Sequence, residues 1–230
     1  MIHYVVYPSA NRQTGIDCAN KWRAKGYKTL VALDVQPDGH MHEWQDSQSF
    51  DAIDSIDKWD GYYAHIGDLV RRAFLIGANI VTCVGDDMEP PTQGADAIAE
   101  MYFKRFPDGY GVLQGTGDPQ GVDDTGRCAA ARICGSPTFG RAWAERGFGG
   151  FVGGYHSFYG DEALKEVAER CGVLWMEPSI CIFHRHWSWH HQPRQDYHIR
   201  NQSDHWEQDR NTFMRMKITG FREQVKEFKR

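Results

Sequence analysis

The chain has 230 residues, 41% hydrophobic and 25% charged, with a formal net charge of −5 at pH 7. These values describe an ordinary globular chain with enough apolar material for a sizeable core, and the acidic balance excludes a uniformly basic surface that grips nucleic acid through counterion release. No apolar run approaches a bilayer span and no basic stretch precedes the apolar residues after Met1, so a cytoplasmic protein is expected.

His3 to Tyr7 predicts a first strand, followed by the polar loop Pro8-Ser9-Ala10-Asn11-Arg12 and a helical pattern from about Gly15 to Lys25, with Gly26 as its cap. A strand-loop-helix unit of this kind holds nucleotides in many α/β proteins, which makes Ser9, Asn11 and Arg12 candidate contacts to a base or diphosphate; the alternative is a plain connection. A second strand, Lys28 to Leu33, ends at Asp34, whose carboxylate is suited to accept hydrogen bonds from a ribose or base. Residues 35 to 60 are polar and Asp-rich, an excursion with a short helix or strand.

Asp68 to Ile76 has helical spacing and stops at Gly77. It feeds the stretch around which the chain is organised, Ala78-Asn79-Ile80-Val81-Thr82-Cys83-Val84-Gly85-Asp86-Asp87. Here a short run of β-branched and small apolar residues predicts a buried strand that ends at glycine and two adjacent carboxylates. Ligands of open α/β sheets collect outside the carboxyl ends of the strands, so Asp86 and Asp87 stand where a metal and a phosphate meet, unless they merely close an acidic turn.

Pro90 and Pro91 block helix just beyond, and Ala95 to Arg105 resumes it. Tyr110 to Asp118 predicts a strand running into a polar loop made acidic by Asp118, Asp123 and Asp124. Ala131 to Trp143 predicts a short strand, a turn and a helix. Five glycines between Gly147 and Gly154 permit close backbone approach and point to a pliant loop near the site. Asp161 and Glu162 then open a helix running to Arg170, placed there either by the helix dipole or as a general base presented at a helix start.

After Gly172 comes a strand region containing Ile180-Cys181-Ile182-Phe183-His184-Arg185-His186-Trp187. On a strand His184 and His186 share one face, and imidazole is a competent ligand for a divalent transition metal. From Asn211 to Arg230, Phe213, Met214, Ile218, Phe221, Val225 and Phe228 recur at roughly helical spacing, which predicts a terminal helix packed on the domain, with a partner-binding or nucleic-acid-binding arm as the alternative. The six cysteines form no CxxC pair, and several lie in apolar segments, so reduced core thiols are expected rather than a disulfide framework.

In this order the parts resemble the metal-dependent GT-A glycosyltransferases, nearest to small bacterial and phage family-two-like members, over residues 3 to 187. Asp86-Asp87 looks like the acidic metal motif of that family, Asp161-Glu162 like its acceptor-activating motif, and His184 or His186 like its C-terminal metal histidine. Pro8, Ser9, Asn11, Arg12, Asp34 and Asp86 match its nucleotide-contacting positions. The resemblance implies an α/β fold, a single Rossmann-like domain over 1–210 with a mostly parallel central sheet flanked by helices, and a helical tail over 211–230. It also implies Mn²⁺ or Mg²⁺ held by Asp87 with His184 or His186, a UDP-sugar as donor, and inverting transfer to an acceptor hydroxyl with Asp161, or else Glu162, as base. The acceptor is a saccharide, a lipid-linked group or a hydroxymethylated base in phage-like DNA, the last placing the protein in a host cytoplasm. Two competing readings are a nucleotidyltransferase and a non-catalytic metal- or nucleic-acid-binding module built on the His- and Trp-rich segment; the first lacks a Gly-rich, Lys-containing signature near the N-terminus.

Overall fold

The computed structural model describes residues 1–34, 50–56, 59–116, 133–185 and 196–229, with backbone alone at 34 and 196–204. Nine strands occur among them: β1 (His3–Ser9), β2 (Lys28–Asp34), β3 (Ala52–Ile56), β4 (Ile80–Cys83), β5 (Met88–Glu89), β6 (Val112–Thr116), β7 (Pro137–Gly140), β8 (Leu174–Cys181) and β9 (Phe183–His184). The helices are α1 (Arg12–Arg23), α2 (Tyr62–Leu75), α3 (Ala95–Arg105), α4 (Arg141–Ala144), α5 (Gly160–Cys171), α6 (Asp196–Ile218) and α7 (Arg222–Phe228). Seven strands form one sheet in the order β3-β2-β1-β4-β7-β6-β8, and β5 with β9 forms a separate two-stranded ribbon. The main sheet is parallel except for β7, which runs antiparallel to both β4 and β6.

Strands covered on both faces need apolar residues at every position, and β1 is buried from end to end. Successive side chains point to opposite faces. Val6, Leu30 and Val81 meet Ile66 and Val70 of α2 and Leu164 and Val167 of α5 in one layer. Val5, Val31 and Ile80 meet Trp22 of α1 and Ile98 and Tyr102 of α3 in the other.

At the top of β1 the ladder to β4 stops for a chemical reason. Val84 donates its N–H to Val6 O, so the parallel register next asks the backbone nitrogen of residue 8 to donate to Val84 O. Residue 8 is proline and has no N–H; the Tyr62 hydroxyl satisfies Val84 O instead, at 3.1 Å. Released from pairing, the chain after β4 turns through Gly85 toward the ribbon.

The C-terminal helices join the α2–α5 layer. Phe213, Phe221 and Phe228 are buried there, Gly220 and Phe221 take left-handed backbone between α6 and α7, and the Tyr110 hydroxyl donates to Phe228 O at 2.6 Å. Asn211, where the sequence suggested a tail begins, lies inside α6. No helix of the described residues is long and apolar enough to cross a membrane.

Three expectations need correction. The strand expected early in the 131–143 block lies after Ser136, as β7. The glycine-rich stretch is a packed turn, not a pliant loop. Phe151, Val152 and Tyr155 are buried, Trp143 Nε1 donates to Gly150 O at 3.0 Å, and a Cβ on Gly149, whose φ is 60°, would stand 2.3 Å from Gly67 O. At Gly149 the missing side chain lets two backbone segments touch. Among the cysteines, Cys18, Cys83, Cys134 and Cys171 are free, but Cys181 is disulfide-bonded, against the expectation of thiols alone.

Candidate functional site

The ribbon places Asp87 beside a histidine from the far end of the chain. Met88 pairs with His184 and Glu89 with Phe183, which sets His184 Nε2 3.2 Å from Asp87 Oδ2, and Arg185 N–H donates to the Asp87 backbone oxygen at 3.0 Å. Two residues of pairing are too few to hold a ribbon unaided. Side chains complete it. Glu89 accepts from Arg185 at 2.7 Å and from Lys21 of α1 at 3.0 Å, and buried Trp22 donates its indole N–H to Met88 O at 3.1 Å. The Arg185 hydrogen bond, opposed by partial burial and helped by Lys21, holds the Glu89 carboxyl below its ordinary range.

Asp86 accepts a 2.7 Å hydrogen bond from Ser9 Oγ at Oδ2. Burial and then the adjacent Asp87 carboxylate push its carboxyl up to about 7, while the Ser9 bond and the charge of His184 pull the other way. A carboxylate oxygen and an imidazole nitrogen converging at such a place are both competent ligands of a divalent cation.

The other sequence-derived residues fall out differently. Pro8 ends the β1–β4 ladder. Asn11 is the N-cap of α1, its side chain accepting from Thr14 N–H at 3.0 Å and from Thr14 Oγ1 at 3.1 Å. Arg12 is exposed at the first position of α1. Asp34 ends β2, paired with Ile56. His186 lies outside the described residues, and β9 ends at His184.

Asp161 and Glu162 occupy the first turn of α5, after Tyr159 in left-handed backbone (φ 61°) and Gly160, where a Cβ would stand 2.7 Å from the Tyr63 ring. The two carboxylates face different surroundings. Asp161 Oδ1 accepts from Glu162 N–H at 2.9 Å, and its charge raises the nearby Cys134 thiol further after burial has already done so. Burial keeps the Glu162 carboxyl above its ordinary range, with Lys217 of α6 acting against it and Glu166 with it.

A second group was not found from the sequence. Asp60, His156 and His205 bring one ligand atom each within 4.8 Å of the others, the group of three among the described residues that can hold a metal ion. Asp60 Oδ1 is 3.5 Å from His156 Nδ1 and 4.0 Å from His205 Nε2, and the two imidazoles stack at 4.4 Å and 7°. Buried Asp209, four residues along α6 from His205, accepts the N–H groups of His156, Ser157 and Phe158 at 2.9–3.2 Å. The spacing of His205 and Asp209 on one helix face was the only local sign; their partners come from elsewhere in the chain.

No protein-family model matches the chain, and no curated protein matches it. Solved structures do. TarS of S. aureus, a GT-A-type glycosyltransferase, superimposes with a TM-score of 0.57 at 11% identity, over 79% of this chain and 36% of that one. The fold is GT-A-like. Its 1–349 fragment in complex with UDP-GlcNAc superimposes with a TM-score of 0.52 at 11% identity, over 79% of this chain and 57% of that one. The same fragment with UDP gives 0.53 at 9% identity, over 79% and 59%. This chain therefore spans between about a third and three fifths of the length of those structures. On the GT-A-like sheet, Ser9, Asp86, Asp87 and His184 gather past the carboxyl ends of β1 and β4, where β7 reverses the strand direction next door.

Proposed function

We propose that this chain is a metal-dependent glycosyltransferase that moves a sugar from a nucleoside-diphosphate sugar to an acceptor hydroxyl. The approach of His184 to Asp87 carries the reading. Two side chains 97 positions apart, one anionic and one an imidazole, meet at 3.2 Å beyond the central strands. The UDP and UDP-GlcNAc in the TarS fragment favour a UDP-sugar donor here.

Asp87 and His184 would hold the divalent cation, and Asp86 with Ser9 would line the diphosphate side. The cation's contribution is to neutralise charge on the departing diphosphate. The acceptor oxygen attacks the anomeric carbon, the bond from that carbon to the diphosphate oxygen breaks with its electron pair leaving on the diphosphate, and the acceptor proton passes to a base. Asp161 is the better base. Glu162, whose carboxyl is raised by burial against the charge of Lys217, is the substitute. Attack opposite the leaving group inverts the anomeric centre. The acceptor is a saccharide or a hydroxymethylated base in DNA.

Calorimetry with UDP, with and without Mn²⁺, tests the donor site: binding should require the ion in the wild type and vanish in Asp87→Ala. Metal-independent binding, or full affinity in the variant, would remove the assignment. For the base, Asp161→Asn should lower turnover by about 10²–10⁴-fold with donor affinity intact, and Glu162→Gln should lower it far less.

A further inference from the structure

We propose that Asp60, His156 and His205 form a second cation site, for a zinc-class transition metal, that clasps α6 to the body of the domain. It is built from other parts than the donor site: Asp60 lies on the connection from β3 to α2, His156 on the loop before α5, and His205 on α6. Two imidazoles and one carboxylate are a common three-ligand set for Zn²⁺.

Each ligand is positioned independently of any ion. Asp60 is held by its own N–H, which donates to His65 Nε2 at 3.1 Å, and the next residue, Gly61, has φ 95° and so little room that a Cβ would stand 2.4 Å from His156 O. His156 is fixed by the Asp209 carboxylate receiving three successive backbone N–H groups. The same helix that supplies Asp209 supplies His205, whose ring stacks on that of His156, so one ring must turn for both nitrogens to face one ion. The backbone of all three residues is held in advance, which limits the ordering cost of binding to that turn.

The ring protons can be rearranged to suit it, at the loss of the hydrogen bond from His156 Nδ1 to Asp60 O. Without an ion, His156 Nδ1 faces the Asp60 carbonyl at 3.1 Å and must carry the proton, while Nε2 accepts from the Gln208 amide nitrogen at 3.1 Å. Turning the Gln208 amide over puts its oxygen on Nε2, moves the proton there and frees the Nδ1 lone pair. That is the usual state of a metal-bound histidine, its distal N–H donating to an outer acceptor. On His205 the buried Nδ1 has no hydrogen-bond partner among the described residues, so none of them commits its ring to a tautomer that would occupy Nε2. The Asp60 side chain is 48% exposed, which leaves an entry path from solvent.

The test uses the full chain and Zn²⁺ alone, followed by competition with a chromophoric chelator and by melting temperature, with Co²⁺ absorption as a readout of the ligand set. One equivalent should bind here, beside any taken up at Asp87 and His184, raise the melting temperature, and give Co²⁺ ligand-field bands with no thiolate charge-transfer band. Asp60→Asn and His205→Gln should each weaken binding by at least about 10-fold and abolish the thermal shift, and Gln208→Leu, which touches only the outer shell, by about 10-fold. Near-ultraviolet circular dichroism checks that each variant is folded. Asp87→Ala, which removes a ligand of the donor-site cation, should keep this one equivalent at the same affinity. The proposal is overturned by an absence of stoichiometric binding, by unchanged affinity in folded Asp60→Asn and His205→Gln, or by loss of the zinc site in Asp87→Ala. Because metal-dependent UDP affinity is measured separately, the donor reading and this one fail apart from each other.

Discussion

A methyl group added at Gly85 would stand 2.7 Å from Asp87 Oδ1, so the glycine leaves room for the very carboxylate that meets His184. The obstructing atom is the end of a side chain, which can swing aside at little cost to the fold but not without leaving its partner. Gly85→Ala should therefore melt within a few degrees of the wild type while its Mn²⁺-dependent UDP affinity falls by about 10-fold or more, as calorimetry would read. That a buried strand stops just before Gly85 and two carboxylates was legible in the sequence, because the β-branched apolar run ends there and β4 ends at Cys83. Pro8 was not. Its effect depends on which carbonyl its missing N–H faces, and that is set by register with Val84. Asn11 had a local sign that pointed away from nucleotide: Asn followed three positions later by Thr14 at the head of a helical pattern is an N-cap arrangement, and the side chain is used in that way.

Among the elements, β1, β4 and β7 share one buried polar chain. His3 Nδ1 faces Ala95 O at 3.2 Å, Nε2 faces Thr82 Oγ1 at 2.8 Å, and Thr82 Oγ1 meets Thr138 Oγ1 at 2.6 Å. Since a carbonyl only accepts, Nδ1–H donates to Ala95, Thr82 donates to Nε2, and Thr138 donates to Thr82. Neutral imidazole satisfies every group; a second ring proton would meet the Thr82 hydroxyl hydrogen. Burial accordingly lowers the His3 pKa to about 4 from 6.5. As pH falls, the unfolded chain takes up this proton first, so stability is full above pH 6.5, declines between 6.5 and 4, and loses up to ~3 kcal/mol. Urea titrations of the wild type and His3→Gln across that range should show the difference in stability between them shrinking as pH drops. The strands and helices of this sheet were mostly visible as periodicity, and β7 was misplaced because four residues, Pro137 to Gly140, carry too short a pattern to mark a strand in a block where Ile133-Cys134 looks more like one.

For the molecule as a whole, the two apolar layers separate stability from the donor site. Phe228 is fully buried in the α2–α5 layer, its ring 4.8 Å from that of Trp143, whereas the ribbon rests on α1 through Met88 in the opposite layer. Phe228→Ala should cost about 3–5 kcal/mol in urea unfolding, and at low temperature, where the variant is still folded, its Mn²⁺-dependent UDP affinity should match the wild type. Coupled loss of both would show the layers to be less independent than their packing suggests. The GT-A-like architecture was legible because the order of strands, helices and acidic stops runs along the chain. The Asp60, His156 and His205 group was not, since three loops and helices must fold together before any of its spacings exist.

The short ribbon also orders events in time. During synthesis Asp87 leaves the ribosome 97 residues ahead of His184, so every nascent chain short of that point has the anion without its imidazole. Closing so wide a loop costs entropy that only the finished sheet repays. A growing polypeptide would thus be inert toward nucleotide until its last strands dock, and capture of the donor would mark the completed domain.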